Sequence, residues 1–222
     1  MSETFDARTF DARQTRADLR EDLRAALLAA AARILSEEGL GALTVRHLAE
    51  KVNVSTKAVY TLFGGKEGLL EALYRDAFDG IATHLPDVAA IEPASHRLIM
   101  LARGYRLYAL ARPDFYAVMF GDAGTGFSPS AESRRHAWNT TRPMRQTLAA
   151  CRPGMRAAEA DFIMRALWAV MHGVVSLELR QLIGGREMAE RLFDDTMLAV
   201  LARHGIAVPP EALALRPSPR GG

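Results

Sequence analysis

Four polar side chains share one arc of the segment 56–63 when it is read as an α-helix at about 100° per residue. They are Thr56, Lys57, Tyr60 and Thr61. The opposite arc is apolar, so the segment can pack on one side and stay exposed on the other. Hydroxyl and ammonium groups donate hydrogen bonds, and a helix of about two turns fits the major groove of DNA. The pattern therefore predicts contact with base edges and phosphates.

The preceding segment, 45–52, divides into apolar and polar arcs in the same way. Thr44 and Ser55 are good N-cap residues for the two segments, and Asn53 is suited to end the first of them. Two short helices across a tight turn are the helix-turn-helix arrangement, in which the second helix reads DNA. Two ordinary amphipathic helices in a helical bundle would give the same pattern, so periodicity alone leaves both interpretations open.

Charge favours the nucleic-acid interpretation. The window 44–66 holds four basic residues and one acid, Glu50, a net charge of +3 in a chain of +2 overall. The basic residues are Arg46, Lys51, Lys57 and Lys66. Phosphates bind such local patches. Lys66 also begins the next predicted helix, where free backbone N–H groups favour an anion. We therefore expect Lys66 to contact phosphate.

The sequence of 39–74, GLGALTVRHLAEKVNVSTKAVYTLFGGKEGLLEALY, resembles the DNA-binding domain of the TetR/AcrR family of bacterial transcriptional regulators. Many members have histidine where this chain has Leu62, and serine or threonine where it has Val45. The resemblance implies DNA contacts at the matching positions Thr44, Arg46, Thr56, Lys57, Tyr60, Thr61 and Lys66. Among these, we expect Lys57 to read bases and Tyr60 and Lys66 to contact phosphates.

Glycine, proline and capping residues predict an all-α chain of about nine helices. They are expected at about 19–38, 45–52, 56–63, 66–85, 95–111, 113–120, 131–151, 156–183 and 187–204. The predicted organisation is a flexible arm (1–18), a three-helix DNA-binding domain (19–66), a connecting helix (67–85), a ligand-binding and dimerisation domain (86–206) and a loose tail (207–222). Three arginines of the arm, Arg8, Arg13 and Arg16, could reach a minor groove, although nearby acids nearly cancel their charge.

The second half resembles a C-terminal class of the same family that is named for a Trp, His and Gly motif. Trp168, His172 and Gly173 carry that motif, and RPDFYAVMF at 112–120 resembles the central short helix of such domains. The resemblance implies a small-molecule cavity and a dimer interface built from the last two long helices. Large side chains that could contact an effector are Met100, Tyr105, Tyr108, Phe115, Met119, Trp168 and His172. Core packing explains such residues equally well.

A dimer is also expected on physical grounds, because one helix reads only about half a turn of the groove. Small residues recur at helical spacing on the penultimate helix, at Ala166, Ala169, Gly173 and Ser176. They allow another helix to approach closely, either from a second copy or from the same chain. The predicted function is a ligand-responsive repressor that binds a palindromic operator as a homodimer. The spacing of residues does not identify the effector or the operator, nor whether the protein represses or activates transcription.

Other classes of function have weaker support. A single cysteine, Cys151, allows no intrachain disulfide and suits a cytoplasmic protein, and the longest apolar run, 25–32, is too short to span a membrane. No GxSxG, HExxH or CxxC spacing is present, so we expect neither an enzyme nor a bound metal or cofactor. A helical protein-interaction module stays the main alternative, but it would not need a lysine on the outer arc of 56–63.

Overall fold

The computed structural model describes residues 12–120 and 127–216. These residues form ten α-helices, one short 3₁₀ helix and no strand, which confirms the all-α prediction. The α-helices are α1 Ala12–Glu38, α2 Val45–Val52, α3 Thr56–Phe63, α4 Lys66–His84, α5 Ala94–Ala111, α6 Pro113–Phe120, α7 Ala131–Thr140, α8 Arg142–Cys151, α9 Ala157–Leu179 and α10 Arg186–Arg203.

Helices α2 and α3 have the predicted bounds because the capping residues act as expected. The Thr44 hydroxyl accepts a hydrogen bond from the backbone N–H of His47 (3.1 Å), and the Ser55 hydroxyl accepts one from that of Ala58 (3.2 Å). Asn53 ends α2 in the left-handed conformation, at φ 57°. Leu48 and Val59 are fully buried, so the apolar arcs of the two helices pack into the core together with α1 and α4.

Both ends of the described chain are more structured than predicted. The expected arm ended at residue 18, whereas α1 already begins at Ala12. The expected loose tail began at residue 207, whereas Pro210–Ala214 forms the 3₁₀ helix and buries Ala212. Residues 1–11, which include Arg8, and residues 217–222 lie outside the described part.

The helix predicted over 131–151 is two helices, α7 and α8, and this prediction was wrong. Pro143 lies in the first turn of α8, where its missing N–H is tolerated. Inside a continuous helix, the same proline would remove a hydrogen bond and its ring would clash with the carbonyl of Asn139. The chain therefore turns at Thr141 and starts a new helix.

Helix α5 is the centre of the second half. It is buried along most of its length and packs against α4, α6, α8 and α9 as well as the 3₁₀ helix. Two of its arginines are also buried, and each pairs with a carboxylate on one of the last two helices. Arg103 Nη2 lies 2.6 Å from Asp194 on α10, and Arg106 Nε lies 2.8 Å from Glu178 on α9. Helices α9 and α10 pack on each other, α9 also packs on α5, and ion pairs connect α10 to α5.

Candidate nucleic-acid interface

The polar arc of α3 is exposed. Thr56, Lys57, Tyr60 and Thr61 all lie on the surface, and the Tyr60 residue keeps 57% of its area accessible. Val59 on the opposite arc is fully buried. No segment of the described chain covers the polar arc. It is therefore free to enter a groove of DNA, while the buried arc holds the helix rigidly on the domain.

Lys57 is the most available cation of this surface. Among the described residues it has no carboxylate partner within ion-pair distance, whereas the two basic residues of α2 are both paired. Arg46 Nε lies 2.9 Å from Glu50, and Lys51 Nζ lies 3.5 Å from Glu38. Glu38 precedes the window from which the +3 charge was counted, so the free positive charge of α2 is smaller than its sequence indicates.

Lys66 already has a partner within the protein. Its ammonium group donates a 2.9 Å hydrogen bond to the carbonyl of Leu40, in the turn between α1 and α2. The side chain is partly buried as a result. Lysine has three N–H donors, so this bond leaves the group able to donate to a phosphate. Lys66 thus fixes the α1–α2 turn to the start of α4 in addition to any role on DNA.

The remaining predicted contacts surround the same surface. Thr44 is exposed and caps α2, and the Thr61 hydroxyl donates a 2.8 Å hydrogen bond to the carbonyl of Lys57 while its oxygen can still accept. Gly65, the N-cap residue of α4, provides no side-chain cap, so the first backbone N–H groups of α4 are open to an anion. The geometry combines hydrogen-bond donors on α3 with an uncapped helix N-terminus beside them.

A narrow cavity of about 30 Å³ lies within the second half of the chain, between α4, α5, α9 and the α7–α8 turn. Its walls carry no charged side chain. They are formed by Phe78, Ile81, Leu85, Tyr105, Thr140, Thr141, Met144, Met164, Trp168 and Met171. Of the seven predicted effector contacts, Tyr105 and Trp168 lie in this lining. The α4 and α8 residues were missed because an apolar helix face in a sequence does not reveal which of its members border a void.

The other predicted effector contacts lie elsewhere. Met100, Tyr108, Phe115 and Met119 are buried but do not line the cavity. The Tyr108 hydroxyl donates a 2.9 Å hydrogen bond to the carbonyl of Ala77 on α4, and Phe115 packs beneath the guanidinium of Arg112. For these four residues, core packing is what the structure shows.

His172 belongs to a buried chain of hydrogen bonds instead. The hydroxyls of Tyr105 and Tyr116 are 2.9 Å apart, and Tyr116 Oη is 2.8 Å from His172 Nδ1. Burial, and secondarily the neighbouring Tyr116, holds the pKa of Tyr105 well above its ordinary value, so this phenol stays neutral. The chain joins α5, α6 and α9. His172 also lines a surface groove of about 240 Å³, together with Phe120 and Trp168.

Cys151 is not set up as a reactive thiol. Burial raises its pKa to about 11, against a smaller opposing effect of Arg97. The thiol is therefore protonated near neutral pH and is a poor nucleophile. Within the described residues, no group of three or more histidine, cysteine or acidic side chains is arranged to hold a metal ion.

These elements define a helix-turn-helix protein whose remaining helices form its C-terminal part. Residues 27–73 match the family model for bacterial regulatory proteins of the tetR family, and residues 98–200 match that of the tetracyclin repressor-like C-terminal domain. The chain belongs to the tetR family of bacterial regulatory proteins.

Curated relatives are similar over shorter stretches. The HTH-type transcriptional regulator Rv1816 of Mycobacterium tuberculosis is 27% identical over 115 residues, 50% of this chain and 49% of the relative. The regulator BetI of Burkholderia lata is 34% identical over 90 residues, 39% of this chain and 46% of the relative. The chain thus matches about half the length of these relatives. A solved TetR family transcription regulator from Marinobacter aquaeolei VT8 shares the fold, with a TM-score of 0.65 at 17% identity over 84% of this chain and 97% of that one.

Proposed function

We propose that this protein is a cytoplasmic, ligand-responsive repressor that binds a palindromic operator as a homodimer. The observation that carries the proposal is the exposed, donor-rich arc of α3 on a helix whose other arc is fully buried. In this proposal Lys57 reads base edges, whereas Tyr60 and Lys66 set the register on phosphates. Thr44, Arg46, Thr56 and Thr61 flank them as further contacts.

The outer face of α9 supports the dimer. Phe162 and Leu177 are exposed on it, and Ala169 and Gly173 lie between them at helical spacing. A Cβ atom added at Gly173 would meet no atom of the described residues within 4 Å, so packing among them does not explain this glycine. Helix α9 is long and apolar enough to cross a membrane by length and composition alone. Only 33% of its most apolar window is buried within the described chain. A second copy packed on α9 and α10 accounts for a helix that is both apolar and exposed.

The effector would bind in the uncharged cavity beside Tyr105 and Trp168. We assign the C-terminal part to the Trp-His-Gly class, since Trp168 lines this cavity and His172, one turn further on α9, is linked to Tyr105 through the Tyr116 hydroxyl. In the dimer, the two α3 helices can adopt a spacing that does not fit DNA. An effector that binds this state more tightly must lower the affinity for the operator, and DNA must lower the affinity for the effector by the same factor.

The DNA proposal is tested by selecting genomic fragments with the purified protein and measuring affinity against salt for Lys57→Ala and Lys66→Ala. Lys57→Ala should lose about 1–3 kcal/mol of sequence discrimination, whereas Lys66→Ala should weaken all sequences similarly and flatten the salt dependence. Thermal unfolding of Lys66→Ala is measured in parallel, because this change also removes the bond to Leu40. Equal effects of both changes on discrimination would refute the assigned roles.

The dimer proposal is tested with Ala169→Glu, which places a charge on the face where two copies of α9 would meet. Sedimentation should show a monomer, and Ala90→Glu, an equally exposed position outside that face, should leave the dimer intact. A dimer that is unchanged in Ala169→Glu would rule out this interface.

A further inference from the structure

The first turns of α1 carry a charge asymmetry that their composition conceals. On a helical projection of about 100° per residue, Arg16 and Arg20 lie within about 40° of each other, whereas Asp18, Glu21 and Asp22 lie about 140–240° from Arg16. Asp18, Glu21 and Asp22 therefore lie away from the side of the helix that carries Arg16 and Arg20. Helix formation from Ala12 onward is what separates the two charges.

The basic side of α1 faces the same groove as α3. An open groove of about 470 Å³ separates the two helices, with Arg20 on one wall and Lys57 on the other. Leu19 and Leu23 share the α1 wall, and Ser55, Ala58, Thr61 and Leu62 share the α3 wall. Leu19 is apolar yet 63% exposed, so this end of α1 extends beside α3 without being covered by the described chain.

Arg16 and Arg20 are also free to bind an anion. Both are exposed, and neither has a carboxylate within ion-pair distance among the side chains that the structure describes. Arg24, one turn further along, is different because it pairs with Glu21 at 3.3 Å and lies 3.7 Å from Asp76 of α4. Of Arg16, Arg20 and Arg24, the two without a carboxylate partner are therefore those nearest the start of α1.

We propose that Arg16 and Arg20 form a second DNA-contacting surface, which binds backbone phosphates next to the bases that α3 reads. This inference rests on the proposed operator binding. A guanidinium group binds phosphate through paired N–H donors, so the contact adds affinity at any sequence and fixes the tilt of the domain on the duplex. The surface is a helix face, rather than the flexible minor-groove arm that the sequence indicated.

The test compares the full-length double variant Arg16→Ala/Arg20→Ala with the unmodified protein, on a selected operator fragment and on unrelated DNA. Each phosphate contact that is lost should make the fall of log affinity with log salt less steep by about 0.9. At 0.1 M salt, this corresponds to about an eightfold loss of affinity. The loss should be equal on both DNAs. Because both arginines are exposed, circular dichroism should show unchanged folding.

Two controls separate contact from general charge. Arg191→Ala removes one positive charge from an exposed site on α10, and Asp18→Asn/Asp22→Asn removes acids from the far side of α1. Both should leave the salt slope unchanged, and Arg16→Lys/Arg20→Lys should largely restore it. If Arg16→Ala/Arg20→Ala binds with the slope of the unmodified protein, or if the controls shift it equally, the inference is overturned while operator binding stands. If the unmodified protein binds no DNA, both proposals fail.

Discussion

Replacing Arg103 by methionine tests how far the buried ion pair holds α10 and the chain end on α5. Its guanidinium meets both carboxylate oxygens of Asp194, with Nη2 to Oδ2 at 2.6 Å and Nε to Oδ1 at 3.2 Å, and it donates to the carbonyls of Leu213 and Leu215. The Arg103 and Asp194 side chains are only 10% and 16% exposed. Arg103→Met leaves that carboxylate buried without a cation, which should cost about 3–5 kcal/mol of unfolding free energy.

The companion variant replaces both charges, Arg103→Met/Asp194→Leu. Because no buried charge is then left unpaired, most of the lost stability should return. Urea unfolding followed by circular dichroism, at one fixed protein concentration, measures both variants. Arg191→Met is the matched control, since Arg191 pairs with Asp195 on the same helix at 3.6 Å with both side chains largely exposed, and it should change stability by less than about 0.5 kcal/mol. The reasoning is refuted if Arg103→Met costs less than about 1 kcal/mol, or if the double variant is no more stable than Arg103→Met.

Three further predictions follow from single sites. Gly68→Ala should cost about 1–3 kcal/mol in thermal unfolding, because the new Cβ would lie 1.9 Å from the Phe63 carbonyl, whereas Gly41→Ala meets no atom within 4 Å and should be near neutral; equal melting temperatures would contradict this. Cys151 should react slowly with iodoacetamide at pH 8 and faster only toward pH 11, and the rate of an ordinary thiol at pH 8 would contradict its burial. Burial raises the pKa of Glu71, but hydrogen bonds from Ser133 and Ser130 outweigh it and lower that pKa below 4.5. The stability that Glu71→Gln removes should thus be fully present above pH 4.5 and vanish as the pH falls further; a loss independent of pH would exclude ionisation as the cause.

The helix-turn-helix could be predicted closely because its boundaries are set by local chemistry. Thr44, Ser55 and Asn53 act on backbone groups within a few residues of themselves, so their effect is visible in the sequence. The prediction of one helix over 131–151 failed at Pro143. Apolar residues recur at helical spacing on both sides of this proline, although proline cannot lie inside a regular helix. Prediction also failed at the chain end, where Arg103 binds carbonyls more than a hundred residues away and no local pattern records the contact.

The candidate site was predictable in part for the same reason. Exposure of the α3 arc follows from periodicity, so its donors were found. The partners of Lys51 and Lys66 come from outside the turn, at Glu38 and Leu40, and could not be read from spacing. The cavity was the hardest to place, because Tyr108 and Tyr105 lie one turn apart on the same helix and only their surroundings in α4 and α9 distinguish them.

The size of the cavity has a consequence for any molecule that enters it. About 30 Å³ is far below the roughly 150 Å³ of a cavity that holds a benzene ring, so a compound of ten or more heavy atoms finds room only in rarer, expanded conformations. Its measured dissociation constant is then its intrinsic constant divided by the fraction of molecules already expanded. Shortening Met144 or Met164 would raise that fraction, so a ligand that binds weakly would bind more tightly without gaining a new contact.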